Sequence, residues 1–163
     1  MAEATAWIVT LDEGCRAAVG EREMMHLVET PVLEAIPHTP VHCRRVLRWE
    51  GEIMPVIDLS AWLTGQPTEG AQASVAIVGW QVQTGAVPQY GALLFRGVPQ
   101  KTRVQDEQFC QLPDSPSGWG LIAVSCFSHD GLPVPILDLR TIFSDALVRH
   151  AAGLPLIPAH AVE

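Results

Sequence analysis

Two aspartates in matching surroundings, Asp58 in Val-Ile-Asp-Leu-Ser and Asp138 in Ile-Leu-Asp-Leu-Arg, are the residues whose type and placement first suggest chemistry. Carboxylates supplied by two related halves of a protein can act as an acid and base pair when their surroundings drive their pKa values apart. An aspartic protease pair needs Asp-Thr/Ser-Gly, and neither aspartate is followed by it. An aspartate that ends an apolar run and opens a short amphipathic stretch has a simpler use, accepting from the free amides of a first helical turn. Helix capping is therefore the preferred reading. His38, His42 and Cys43 offer ligand types at a metal-like spacing, but Pro37 and Pro40 preclude a helical i,i+4 face and no fourth ligand is evident. No metal, cofactor or catalytic residue is assigned. Gly-x-Ser-x-Gly, phosphate-loop and dinucleotide patterns do not occur. The four cysteines, Cys15, Cys43, Cys110 and Cys126, are widely spaced and read as reduced thiols, three of them as packing residues.

The elements that must position the two aspartates look alike. Gly51 to Leu63 and Gly131 to Phe143 align without a gap, pairing Gly51 with Gly131, Pro55 with Pro135, Asp58 with Asp138 and Leu59 with Leu139. Each segment follows a turn, at Trp49-Glu50-Gly51-Glu52 and at Ser128-His129-Asp130-Gly131, where glycine supplies positive φ. Each then enters a short apolar run that reads as a buried strand. Proline removes a ladder donor, and Pro133 and Pro135 lie two apart, so both missing donors face one side. The strand should have one unpaired flank, and Pro55 marks the same flank in the first copy. Short helices are expected at Leu59 to Leu63 and at Leu139 to about Val148. Two hairpins that merely share turn chemistry are the competing explanation.

A chain of 163 residues is one domain or two small subdomains sharing a core, and buries about two thirds of its unfolded surface. A formal charge of −8 with a single lysine, Lys101, argues against nucleic acid, which needs clustered cations. The start lacks the pattern of a signal peptide and no apolar run approaches membrane-spanning length, so a cytoplasmic protein without membrane insertion is expected. Thr5 to Leu11 and Cys15 to Val19 predict an opening hairpin, and Gly20 to Val28 a short helix with Met24, Leu27 and Val28 on one face. Val32 to Ile36 and Val46 to Trp49 are further short elements. Thr64 to Ser74 is the best linker. Val75 to Val82, Tyr90 to Phe95, Val98 to Val104 and Leu121 to Phe127 predict strands, with Cys110 to Gly118 a loop and the residues beyond Arg149 a loosely held tail. Many short strands separated by turns indicate small barrels.

Thr39-Pro40, Val46-Leu47 and Gly51-Glu-Ile-Met-Pro-Val-Ile-Asp-Leu59 together resemble the signature of CheW-like domains, the chemotaxis coupling proteins. Met24 to Pro40 and the closing Leu137-Asp138-Leu139 align as well, so the resemblance spans about residues 5 to 145. It implies an all-β fold with short helices: two five-stranded SH3-like barrels around a shared hydrophobic core. Subdomains of about 15–70 and 75–145 with strand exchange, and a tail at 150–163, are expected. It also implies a non-enzymatic adaptor whose partners are the helical tip of a chemoreceptor and the regulatory domain of a CheA-type histidine kinase.

Departures from the family cluster at the expected contact surface. Arg48-Trp49-Glu50-Gly51 stands where the family has Asn-Leu-Arg-Gly, so an acid replaces an arginine and would repel the same partner. Arg45 replaces a glycine, His26 a glutamate, and Phe95 and Arg96 occupy a region where the family commonly has an acid. The reading is a kept fold with a rewritten partner surface, suited to an alternative array such as one governing twitching pili. Candidate partner-binding residues are Met24, Leu27, Arg45, Arg48, Trp49 and Glu50, with core packing the other reading for Met24 and Leu27. The function alternative is a small hydrolase or ligand-binding barrel using the cleft between subdomains.

Overall fold

The computed structural model describes residues 3–67 and 73–152. In chain order these form β1 (Glu3–Asp12), β2 (Cys15–Gly20), β3 (Met24–Val28), β4 (Leu33–Ala35), β5 (Arg45–Trp49), β6 (Glu52–Ile57) and α1 (Leu59–Thr64). There follow β7 (Ala73–Trp80), β8 (Gln89–Gln105), α2 (Trp119–Ile122), β9 (Ala123–His129), β10 (Leu132–Leu137), α3 (Leu139–Ile142) and α4 (Ala146–Ala151). Parts of the expected linker (68–72) and tail (153–163) lie outside the described residues.

The duplicated segments adopt one conformation twice. Glu50 and Gly51 have φ of 50° and 79°, Asp130 and Gly131 of 53° and 76°, the paired left-handed geometry that suits a two-residue hairpin. β6 pairs with β5 along its length but meets β8, in parallel, only at Val56 and Ile57. β10 pairs with β9 throughout and meets β2, again in parallel, only at Ile136. The prolines precede these parallel contacts, so the open flank they require is present in both copies. Each aspartate then turns the chain. The Asp58 amide donates to the His42 carbonyl and the Asp138 amide to the Ile122 carbonyl, both at 2.8 Å. Asp58 Oδ1 accepts from the Ala61 amide at 3.0 Å, and Asp138 accepts from the Thr141 amide at 3.4 Å and its hydroxyl at 2.8 Å.

β8 divides the molecule. Its first half pairs with β7, its second half with β1, and residues 97–99 bulge between the two ladders. It is therefore one long strand where two were expected, because both neighbours hold the same continuous backbone. The first barrel is built from β3 to β7 and the start of β8. The second takes the end of β8 with β1, β2, β9 and β10. Alternate residues of the central strands serve different cores. Val75, Ile77, Ala92 and Leu94 join Leu47, Met54 and Val56 inside the first barrel. Ala6, Ile8 and Ala18 join Phe127 and Val134 inside the second. The intervening Val9, Leu11, Ala17, Val19, Ala76, Val78, Leu93 and Phe95 form a third, shared core with residues of all four helices.

Two local expectations change. Gly20 to Val28 is a turn and a strand, not a helix: the Glu23 carboxylate accepts from the Gly20 amide at 2.9 Å, closing the turn, and β3 is held by β7. A bulge at Met25 places Met24 and Leu27 on the same inward face three residues apart, which imitates helical spacing. The expected helix from Leu139 breaks into α3 and α4, because Ser144 donates to the Thr141 carbonyl at 2.6 Å and accepts from the Ala146 amide at 3.1 Å. In addition, α2 occupies the start of the segment expected as one strand from Leu121, and β9 begins at Ala123.

Replacing Asp138 with alanine is expected to lower unfolding free energy by about 1–2 kcal/mol, and Asp138→Asn by less. Urea denaturation of the three proteins measures this; equal midpoints would remove the capping role.

Candidate functional site

The alternation of β5 sorts the candidate residues. Leu47 is buried in the first barrel, so Val46 and Arg48 face outward. In register across the three strands, Glu34, Val46 and Pro55 form one outward row, with Arg48 and Ile53 beside it. Arg48 Nε lies 3.4 Å from Glu34 Oε1, both side chains largely exposed, so the pair orients the guanidinium more than it stabilises the fold. Ile53 is 62% exposed on this face, near its hairpin end. Glu50 sits at the hairpin tip, exposed, with its carboxylate carried on a left-handed backbone.

The remaining candidates lie elsewhere. Trp49 points the opposite way from Arg48, packs against the first-barrel core, and holds its ring 5.8 Å from that of His26 on β3. Arg45 is half-buried beside a shallow cleft shared with Arg44, Val56 and Asp58. Met24 and Leu27 pack against the shared core. The structure thus brings Arg48 and Glu50 to one exposed end, places Trp49 beneath them, and sets Met24 and Leu27 inward.

β3 exposes His26 and, beside it, Met25, which the bulge turns outward. Met25 lines a cleft of about 540 Å³ with Arg22, Glu23, Trp80 and Tyr90. Gly79 forms part of the floor, where a Cβ would stand 3.2 Å from both the Met25 side chain and the Tyr90 ring. Trp80 stacks on Phe143 at 4.7 Å, and Phe143 in turn lies against the bare backbone of Gly91, tying the end of α3 to the first barrel. Sequence reasoning missed the roles of Trp80 and Tyr90, for which strand position alone carries no signal.

Asp58 and Asp138 are each committed to a helix start, and so are poorly placed to act together on a substrate. His38 is exposed with φ of 59°, His42 is buried and Cys43 half-buried. Among the described residues no group of three or more His, Cys, Asp or Glu is arranged to hold a metal ion. Burial lowers the His42 pKa, the nearby Asp58 charge opposing this in part. Burial raises Glu23, reinforced by Asp138 and opposed by the Gly20 amide.

A model of the CheW-like domain family matches residues 14–147, a span that reaches from the first hairpin through α3. The chain belongs to the CheW-like domain family. Members of this family are non-enzymatic scaffold proteins. The crystal structure of the scaffolding protein TtCheW from Thermoanaerobacter tengcongensis superposes with a TM-score of 0.69, covering 88% of this chain and 90% of that one. Identity over the superposition is 15%, so the likeness is one of fold. A search of curated proteins by sequence returns no match. No helix among the described residues is long and apolar enough to cross a membrane.

Within this CheW-like domain His42 occupies the place that Ile122 has in the second copy, since both carbonyls receive the equivalent aspartate amide. Its folded pKa lies below the unfolded value of about 6.5, so the unfolded chain takes up the proton first as pH falls. The stability this neutral histidine permits is complete above that value and is lost as pH drops through it toward the folded pKa. Relative to His42→Ile, the parent protein is therefore expected to lose stability between pH 7.5 and 5.5. Urea midpoints of both proteins at the two pH values check this, and parallel behaviour would refute it.

Proposed function

We propose that this CheW-like domain is a cytoplasmic scaffold in chemosensory signalling, joining the helical tip of a chemoreceptor to the regulatory domain of a CheA-type histidine kinase. The observation that carries the reading is the family match, which runs across both barrels and the shared core rather than over one motif. The system served is an alternative one, such as an array governing twitching pili, because the hairpin tip carries Glu50 where the family has an arginine.

The physical arrangement supports a contact surface on the first barrel. Val46, Ile53 and Pro55 form an apolar strip on the outer face of β4, β5 and β6, and the Glu34 and Arg48 charges border it. An apolar centre with a charged rim is the composition that excludes water at the middle of an interface and sets partner choice at its edge. Glu50 projects from the end of that surface and prefers a cationic partner group. Nothing comparable supports the hydrolase alternative, whose two carboxylates are already engaged by their own helices.

Glu50→Arg is expected to weaken binding to the protein's own kinase regulatory domain by roughly tenfold and to strengthen binding to one from a standard flagellar system by a similar factor. Calorimetric titration of both variants against both domains measures this. Unchanged affinities would remove the hairpin tip from the interface, and absence of binding by the parent protein to either kinase domain or to a receptor tip would overturn the scaffold reading.

A further inference from the structure

Beyond the scaffold role, one pair of side chains is arranged for chemistry that the partner surface does not use. After a 3-10 turn at Asp106–Gln108 the chain runs antiparallel to β9, with Phe109 opposite Phe127. The next residue, Cys110, therefore lies directly opposite Cys126, and its amide donates to the Cys126 carbonyl at 3.0 Å. Residues directly opposite in an antiparallel ladder have Cα atoms about 4.5–5.5 Å apart, inside the range a disulfide spans. Their sulfurs are 3.2 Å apart and both are free thiols. β9 ends the strand order of the sheet, so its outer flank is available to this short ladder.

We propose that Cys110 and Cys126 are a redox-active dithiol that small-molecule disulfides, of the oxidised glutathione class, close into a cross-strand disulfide. The two thiols differ in access. Cys126 is buried, whereas Cys110 is half-buried, and both line a cleft of about 560 Å³ with Pro113, Ser117, Trp119 and Val124. Cys110 attacks first as the thiolate: its sulfur bonds to one sulfur of the reagent, the reagent S–S bond breaks, and the departing thiolate takes a proton. Cys126 then loses its proton and attacks the Cys110 sulfur, releasing the second reagent thiol. The protein gives up two electrons and two protons, and the reagent is reduced to two thiols. Burial pushes the Cys126 thiol up from its ordinary value, and Cys126 must lose its proton to attack, so the second step accelerates with pH. The disulfide closes a covalent loop over residues 110–126, which carries α2 and the Trp119 ring buried in the shared core.

The test uses the full chain in defined mixtures of oxidised and reduced glutathione, trapped with iodoacetamide and digested for mass spectrometry. Two alkylatable thiols should be lost, a peptide linking residues 110 and 126 should appear, and excess reduced glutathione should restore both thiols. Cys15 and Cys43 should remain alkylatable and serve as internal references. The oxidised protein should unfold at a higher temperature than the reduced one, and Cys110→Ser should abolish that difference. Cys126→Ser should stop at a glutathione adduct on Cys110; if that variant does not fold, Cys110→Ser and the parent protein decide the matter. Survival of all four thiols in excess oxidised glutathione, a stalled adduct on the parent protein, or linkage through Cys15 or Cys43 would overturn the proposal. None of these outcomes bears on kinase or receptor binding, so the scaffold reading stands or falls separately.

Discussion

Burial on both faces of the central strands is the constraint from which the rest of this structure follows. Along β7 and β8, Val75, Ile77, Ala92 and Leu94 fill the first barrel while Ala76, Val78, Leu93 and Phe95 fill the space between barrels. β1 and β2 divide their residues in the same way between the second barrel and the shared core. A shift of pairing by one residue would exchange these sets, so register is held from two sides at once. This also accounts for the continuous apolar runs in the sequence, which would be hazardous on a strand with one face in water.

The duplication supplies the ends of those barrels and the links between them. In each copy a two-residue turn, an open proline flank and an aspartate cap place a short helix against the shared core. The copies have diverged where local demands differ. His42 stands where the second copy has Ile122, so a titratable group faces the first aspartate and an apolar one the second. After the second cap, the Ser144 hydroxyl donates to the Thr141 carbonyl and accepts from the Ala146 amide, splitting the helix, which lets Phe143 turn back onto Gly91 and Trp80. That ring stack ties the second copy to the first barrel.

The same division of faces decides what remains for partners. Strands committed to two cores leave little to offer, so exposed apolar surface of the first barrel lies on the outward rows of β5 and β6, around β4 at Val32 and Ile36, and at Met25 and Tyr90. Charge is confined to the edges of that surface, in the Glu34 and Arg48 pair and in Glu50. A scaffold needs this combination, since it must be held by other proteins without competing with its own fold for the same side chains. The cysteine pair occupies the far edge of the sheet, where a loop rather than a strand covers β9.

The chain alone determined several features that short-range rules govern: the hairpin turns at Glu50-Gly51 and Asp130-Gly131, the proline flanks, the aspartate caps, and through the signature at Gly51 to Leu59 the family and its paired barrels. These depend on backbone preferences within a few residues and are written in residue type. Tertiary structure decided what depends on a distant partner. Pairing with β7 made β3 a strand, and its bulge turned Met24 and Leu27 inward and Met25 outward. Two successive neighbours made β8 a single strand. Antiparallel alignment across sixteen residues of sequence brought Cys110 and Cys126 face to face. A spacing of three reads as a helix or as a bulged strand alike, and only the neighbour that fills the other side of the ladder distinguishes them.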